Sequence, residues 1–322
     1  MMDSGFTNGV IAVKEKRLFG ERLTRFAEMS AEDVFRALTE AGYGFGAASS
    51  VYDFEEMISA EERDLDAFIR TYAPSEAELH YFLAPRDFHN GKALLKAHAL
   101  GKDPEKLLAP DGLVPREKIA SCVEAGDFSP LSGQLKKALE EGKALLDEQA
   151  EGAGEQLGVI FERALFAHLA EHCKKNRSLK KLIARRADTE NILSYLRSPN
   201  KETAEALFVE GGTLKKEKLA GLFSSDPEKG ERTLNGTPYE ELLKQCFAAK
   251  RQGKPLSEAE KQADDLEMDF YRHALYSKEG RDPFLLYVIR RRAENADIRI
   301  LLVCLLAGMP ASDSKARLRG IL

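Results

Sequence analysis

The amino-acid sequence has no apolar run of the roughly 18 residues that a membrane-spanning helix needs. Its longest candidate, residues 298–309, is shorter and contains Arg299. The N-terminus also lacks the basic segment followed by an apolar segment that marks a secretory signal. These absences predict a protein that neither crosses a membrane nor is exported, and therefore one that stays in the cytosol.

Cysteines are few and far apart in the sequence. Cys122, Cys173, Cys246 and Cys304 are separated by dozens of residues, and no C-x-x-C pair is present. The cysteine pattern therefore predicts neither a zinc site nor redox chemistry. We expect the cysteines to be small buried apolar side chains.

Motifs of the common catalytic and nucleotide-binding sites are absent as well. The chain has no G-x-x-x-x-G-K-[ST] phosphate loop, no H-E-x-x-H, no G-x-S-x-G and no EF-hand loop. The glycine-rich segment at residues 42–46 follows a predicted helix, residues 31–41, rather than a strand. We interpret it as a helix C-cap and turn and not as a dinucleotide site. The sequence thus predicts no catalytic residue and no cofactor.

One histidine pair has the spacing of metal ligands. His168 and His172 lie four residues apart on a predicted helix, with Cys173 adjacent. Cys173 would point about 100° away from His172, and further ligands would have to come from elsewhere in the chain. We interpret the pair as ordinary helical histidines and predict no metal site. A helical hydrolase that uses both histidines and a nearby carboxylate is the alternative.

The formal net charge of −5 disfavours a general nucleic-acid-binding protein, because such affinity comes mostly from cationic side chains that neutralise phosphates. Two basic runs, residues 174–177 and 290–292, are interpreted as solvated helix faces. The acidic cluster at residues 264–269 could attract cations, but we interpret it in the same way. A helical adaptor that binds nucleic acid through residues 290–292 is a further alternative.

Helical periodicity is present along nearly the whole chain, whereas alternating strand patterns are almost absent. Apolar stripes predict two long helices, one from Leu179 to Leu196 and one from Leu285 to Val303. With 322 residues, the chain is also longer than a single hydrophobic core usually allows. The sequence therefore predicts an all-α protein built from several units or repeats.

An internal repeat is the most informative feature of the sequence. Residues 112–120 match residues 212–220, with Gly, Glu, Lys and Ala at equivalent positions. A second pattern consists of an acidic residue, two spacers, an amide or acid, an apolar helical stripe, a turn and a proline-led short helix. It occurs three times, with its two polar positions at Asp87 and Asn90, at Asp188 and Asn191, and at Glu294 and Asp297.

These copies predict three similar helical units, residues 1–112, 113–212 and 213–322. The two polar residues of each copy lie on one helix face, where they can bond to each other or to a neighbouring helix and fix how helices register. An exposed capping box or a solvated patch is the alternative. Asp103 and Ser198, each followed by a proline, are expected to cap the next short helix.

Several segments resemble the C subunit of prokaryotic V-type ATPases, a family whose eukaryotic member is called the d subunit. They are residues 13–19, 33–43, 87–90 and 282–289, the last leading into Glu294, Asp297, Arg299 and Leu301. Asp297 stands where the family usually has asparagine. The resemblance therefore assigns no hydrogen bond to that position.

The resemblance implies a funnel of three helical domains around a pseudo-threefold axis. It implies a non-catalytic rotor part, a socket between the central-stalk subunits and the membrane proteolipid ring, which couples ATP turnover to proton or sodium transport. The expected location is the cytoplasm, peripheral at the membrane face, without nucleic acid as a partner. The third unit stops after its proline-led helix, and the N-terminal segment from Ala31 to Tyr43 is expected to complete it and close the ring.

Overall fold

The computed structural model describes residues 4–148, 152–224, 226–254, 263, 266 and 283–318. All regular structure in these residues is helical and none of them is in a strand, which confirms the predicted all-α fold. Among the described helices, none combines the length and the apolar character required to span a bilayer.

The α-helices differ widely in length, from one turn to about seven turns. In chain order they are α1 (Ser4–Glu15), α2 (Arg22–Phe26), α3 (Ala31–Glu40), α4 (Phe54–Tyr72), α5 (Glu76–Leu100), α6 (Arg116–Ala125), α7 (Gly133–Asp147), α8 (Ala153–Cys173), α9 (Arg177–Arg197), α10 (Lys201–Leu207), α11 (Lys216–Leu219), α12 (Pro227–Glu231), α13 (Glu240–Arg251), α14 (Pro283–Leu306) and α15 (Ala311–Arg317). Short 3-10 helices span Tyr43–Gly46, Val51–Asp53, Glu105–Leu107, Ala220–Phe223 and Arg232–Leu234.

The chain divides into two compact units. Unit 1 combines the N-terminal residues through Ser75 with the residues from Lys261 onward, and so contains α1 to α4, α14 and α15. Unit 2 spans residues 76–260 and contains α5 to α13. The division into three units, residues 1–112, 113–212 and 213–322, stays a prediction, as does the pseudo-threefold funnel.

Unit 1 brings the two ends of the described chain into one hydrophobic core. Ile298, Leu301 and Leu302 of α14 belong to the same buried cluster as Val34 and Leu38 of α3. Burying each such side chain stabilises the fold by roughly 1.5–3 kcal/mol. The prediction that the N-terminal segment packs with the last repeat is therefore confirmed, whereas closure of a ring stays a prediction.

Both predicted long helices are present, as α9 and α14. The predicted stripe of α9 is buried along its whole length. In α14 the prediction is wrong for Val303, which is 50% exposed. Leu301 and Leu302 occupy the buried face there, which leaves the next residue on the solvent side.

The glycine-rich segment is a turn after a helix, as predicted. α3 ends at Glu40, and Gly42 takes the left-handed conformation with φ 75°. Gly44 has φ 77°, and a Cβ atom there would lie 2.1 Å from Cγ of Met57. Only glycine fits this close approach without a shift of the neighbouring helix.

The capping prediction is right for Asp103 and wrong for Ser198. The carboxylate of Asp103 accepts a hydrogen bond from the backbone N–H of Glu105 at 3.0 Å. Ser198 instead donates its hydroxyl to the carbonyl of Ser194, because α9 continues up to this point. The following helix α10 is capped by Asn200, whose side chain accepts from the N–H of Thr203 at 2.8 Å.

The cysteines are buried, as predicted, at Cys122, Cys173, Cys246 and Cys304. Burial raises the pKa of Cys173 to about 12 and that of Cys246 to about 11, so both thiols stay protonated at neutral pH. The predicted acidic cluster at residues 264–269 lies outside the described residues, apart from Leu266.

Candidate functional site

The first acid–amide pair, Asp87 and Asn90, binds the backbone of the loop that follows α5. The Asp87 carboxylate accepts from the N–H of Leu113 at 3.0 Å and of Val114 at 3.1 Å. The Asn90 amide donates to the carbonyl of Ala109 at 3.1 Å and accepts from its N–H at 2.8 Å. The pair therefore fixes this loop against one buried face of α5.

The second acid–amide pair, Asp188 and Asn191 on α9, repeats this arrangement. Asp188 accepts from the N–H of Leu214 at 2.8 Å, and Asn191 exchanges two bonds of 2.8 Å with the backbone of Val209. The hydroxyls of Thr213 and Tyr239 add two further donors to Asp188, at 2.6 Å and 2.8 Å. Burial, followed by the nearby Asp188 charge, raises the pKa of Tyr239, which keeps this donor protonated.

The equivalence of the two pairs extends to sequence separation. The backbone partner follows the asparagine by 19 residues in the first pair and 18 in the second, and it follows the aspartate by 26 residues in both. Both pairs are buried, which rules out the exposed capping box. The predicted partners need a correction, because both pairs bind the backbone of a following loop, and Asp188 also accepts from the hydroxyl of Tyr239, the N-cap residue of α13.

Two glycines make these contacts possible. A Cβ atom on Gly112 would lie 2.2 Å from Oδ1 of Asp87, and one on Gly212 would lie 2.2 Å from Oδ1 of Asp188. Any larger residue would displace the carboxylate from the N–H groups that it binds. The glycine-led repeat at residues 112–120 and 212–220 and the acid–amide repeat therefore meet in one contact. The acid lies on a helix, and the glycine lies in the loop that the acid binds.

The third copy uses backbone from the N-terminal segment. Glu294 on α14 accepts from the N–H of Phe19 at 2.6 Å and of Gly20 at 3.3 Å. Asp297 is 1% exposed and is therefore buried, like the asparagines of the other two pairs. Asp297 carries a carboxyl group at the position where the other two pairs carry an amide. The N-terminal segment therefore completes the third copy, beginning at Phe19.

A buried ion network surrounds Glu294. The Arg291 guanidinium is hydrogen-bonded to both Glu61 and Glu294, and the side chains of all three are at most 7% exposed. The central carbon of the Arg291 guanidinium lies 5.1 Å from the ring centroid of Tyr43. The Tyr43 hydroxyl donates to Oδ1 of Asn295 at 2.9 Å. These contacts join α4, α14 and the turn after α3 within unit 1.

The pKa values of this network follow from burial and charge. Burial opposes the charged form of Arg291, but Glu61 and Glu294 outweigh it and raise the pKa of the guanidinium. Burial raises the pKa of Glu294, against the opposing effects of Arg291 and the two N–H donors. Arg291 therefore remains a cation shared between two carboxyl groups.

The two basic runs differ in the structure. Lys174, Lys175 and Arg177 are exposed, which confirms a solvated face. The interpretation of residues 290–292 as solvated is wrong for Arg291, because its carboxylate partners hold it in the interior of unit 1. A guanidinium nitrogen of Arg290 also lies 3.6 Å from a carboxylate oxygen of Glu15. This run is therefore not the continuous basic face that the nucleic-acid alternative requires.

The histidine pair of α8 gains a third member from α5. Nδ1 of His80 lies 2.8 Å from Nε2 of His168, and the rings of His80 and His172 stack with centroids 3.7 Å apart. One nitrogen from each ring lies within 4.8 Å of the others. Cys173 is directed elsewhere, since its thiol donates to the carbonyl of Ala77.

The environment of His80 and His168 favours neutral rings. Burial, then the neighbouring histidines, lowers the pKa of His168 to about 4. Burial, then His172, also lowers the pKa of His80. Neutral imidazoles offer one lone pair each to a ligand.

Glu61, Tyr239 and His80 are residues of these sites that the sequence did not reveal. Glu61 lies in a charged segment with no distinguishing pattern, Tyr239 belongs to no repeat, and His80 is 88 residues from His168. Spacing along the chain identifies partners on one helix, but it gives no signal for partners on different helices. Helical phase could have flagged Arg291, since it lies one turn before Glu294 on the stripe of α14.

Comparison with known proteins places these features in a family. The family model for the ATP synthase (C/AC39) subunit matches residues 7–317. The C subunit of a V-type sodium ATPase from Enterococcus hirae is 24% identical over 258 residues, which cover 78% of this chain and 77% of that protein. The C subunit of a V-type ATP synthase from Thermus thermophilus is 24% identical over 259 residues, with coverages of 74% and 77%. Because the family model covers nearly the whole sequence, this chain belongs to the ATP synthase (C/AC39) subunit family.

Proposed function

We propose that this chain is a non-catalytic rotor subunit of a V-type ATPase or ATP synthase, a socket that joins the central stalk to the membrane proteolipid ring. The family match over residues 7–317 carries the proposal. Similar proteins are named as the C subunit of a V-type sodium ATPase and of a V-type ATP synthase. The proposed location is the cytoplasmic face of the membrane, and the transported ion is a proton or sodium.

The buried polar contacts support a mechanical role. A part that transmits rotation has to resist deformation, and each acid–amide pair ties a loop to a helix by several buried hydrogen bonds. The Glu61, Arg291 and Glu294 network does the same for α4 and α14. Breaking such buried contacts is costly, so they favour a single arrangement within each unit.

A deletion experiment tests this proposal. Complexes that lack the chain are compared with complete ones in proteoliposomes, with ATP hydrolysis and ATP-driven ion uptake measured on the same preparation. We expect the head to hydrolyse ATP in both cases and ion uptake to disappear without the chain. Adding back the purified wild-type chain should restore uptake, whereas full ion uptake in its absence would contradict the proposal.

A helical hydrolase is a second candidate, favoured by the cluster of His80, His168 and His172. It predicts that the isolated chain cleaves ester or phosphoester substrates. The double variant His168→Gln with His172→Gln should then lose the activity. Hydrolysis by the wild-type chain that disappears in this variant would favour the hydrolase over the rotor subunit.

A further inference from the structure

We propose that His80, His168 and His172 form a binding site for a first-row transition-metal ion such as Zn²⁺, located between α5 and α8 of unit 2. This is a change from the sequence-based interpretation, which treated His168 and His172 as ordinary helical histidines. The new observation is His80, which supplies a third imidazole from a second helix. The inference does not depend on the proposed role as a rotor subunit.

The helix geometry favours chelation. His168 and His172 are four residues apart and lie on one face of α8, a spacing that zinc-binding helices use. His80 on α5 approaches the same point, with its Nδ1 2.8 Å from Nε2 of His168. Ligand nitrogens at about 2.1 Å from a tetrahedral Zn²⁺ are about 3.4 Å apart. A slight movement of these two rings away from each other therefore makes room for the ion.

Exposure of His172 provides the remaining adjustment. His80 and His168 are half-buried, whereas His172 is exposed. An exposed side chain changes rotamer freely, so the His172 ring can turn from its stacked position toward a shared ion. The Phe88 and His168 rings pack edge to face with their centroids 5.4 Å apart, and this packing limits the movement of the His168 ring.

Nearby carboxylates favour a cation at this position. Glu76 and Glu171 both interact electrostatically with the cluster, the former with His80 and the latter with His168. Glu171 is itself held by a hydrogen bond of 2.5 Å from the side-chain amide of Gln134. A bound dication would therefore lie in a locally negative environment.

The donor set indicates the class of metal. Three imidazoles suit Zn²⁺, Co²⁺, Ni²⁺ or Cu²⁺, whereas Mg²⁺ and Ca²⁺ prefer oxygen ligands. Cys173 is excluded as a ligand because it is buried and hydrogen-bonded to Ala77. With three protein ligands and an exposed His172, the fourth position of a tetrahedral ion would face solvent.

Spectroscopic titration of the full chain with Co²⁺ tests this inference. Co²⁺ bound by histidines gives visible absorption bands, and displacement by Zn²⁺ abolishes them, so both affinities can be measured. We expect one Co²⁺ per chain, and binding at least about tenfold weaker in His80→Gln and in His172→Gln. Zn²⁺ should also raise the melting temperature of the wild-type chain, because an ion bound only to the folded state stabilises it.

His98→Gln is the matched control, since His98 is an exposed histidine on α5 outside the cluster. It should bind Co²⁺ like the wild-type chain. His172→Gln changes an exposed side chain, and circular dichroism verifies that it is folded. Absence of Co²⁺ bands in the wild-type chain, or equal affinity in folded His172→Gln and in the wild-type chain, would overturn the inference.

Discussion

At the scale of single residues, the Arg291 guanidinium is held in place by buried carboxylates on two sides. It is buried and shared by two carboxylates, while Arg299, two turns later on α14, binds Glu55 and Glu62 with a side chain that is 36% exposed. Sequence alone shows four arginines on this helix and does not distinguish Arg291 from Arg299. Their difference arises from tertiary packing, since Glu61 reaches Arg291 from another helix.

Replacing Arg291 with methionine should destabilise the protein by about 3–5 kcal/mol, because it leaves two buried carboxylates without their cation. The same change at Arg299 should cost no more than about 1 kcal/mol, as is usual for solvent-screened ion pairs. Urea unfolding followed by circular dichroism measures both. Equal losses for the two variants would contradict the assignment of Arg291 as the buried centre of the network.

Gly112→Ala should destabilise the protein by about 1–3 kcal/mol, because the added Cβ overlaps the Asp87 carboxylate. Gly158→Ala is the control, since Gly158 lies within α8 with no atom within 4 Å of an added Cβ. Alanine is the better helix former there, so this variant should gain roughly 0.5–1 kcal/mol. Thermal or urea unfolding should show opposite shifts, and a neutral Gly112→Ala would argue against the close contact.

At the scale of elements, the acid–amide pairs show which parts of the fold were predictable. The repeat of Asp87 and Asn90 at Asp188 and Asn191 was visible in the sequence, as were the long helices α9 and α14. The bonding partners were not visible, because backbone groups carry no sequence signature. In the sequence, only Gly112 and Gly212 mark the loops that bind these side chains. The packing explains both glycines, since a Cβ atom at either position would overlap the carboxylate.

The predictions that fail concern positions that tertiary contacts decide. Ser198 before a proline has the composition of a cap, but α9 runs one residue farther than its pattern indicated and Asn200 takes that role. The position of Val303 depends on which neighbours α14 meets in its last turns, and periodicity alone does not define them. The histidine site could not be predicted because its third member lies on another helix.

Asn191→Ala should loosen the loop at Val209, since it removes both hydrogen bonds that hold this backbone unit. Each backbone group left without a partner costs about 1–3 kcal/mol. Hydrogen exchange of the Val209 amide should become faster, while exchange in α4 stays slow. Asn200→Ala, which removes only a helix cap worth about 1 kcal/mol, should leave protection at Val209 unchanged.

At the scale of the whole molecule, the sequence predicted the all-α fold and the family, and the structure adds how the repeat ends. The third copy takes its backbone partners from Phe19 and Gly20, so unit 1 joins residues at opposite ends of the chain. Contacts between such distant residues close a long loop of chain, and the entropic cost of this closure grows only slowly with loop length. The buried Glu294 network and the shared core offset that cost within unit 1.

Rotation together with the central stalk is the decisive consequence of the proposed rotor role, and it can be observed on single complexes. A V-type complex is immobilised through its catalytic head, and a bead is attached to this chain through biotin on an introduced exposed cysteine. With ATP present, we expect the bead to rotate in one direction, in step with a bead on the central stalk. A bead that stays fixed on this chain while the stalk rotates would contradict the rotor role.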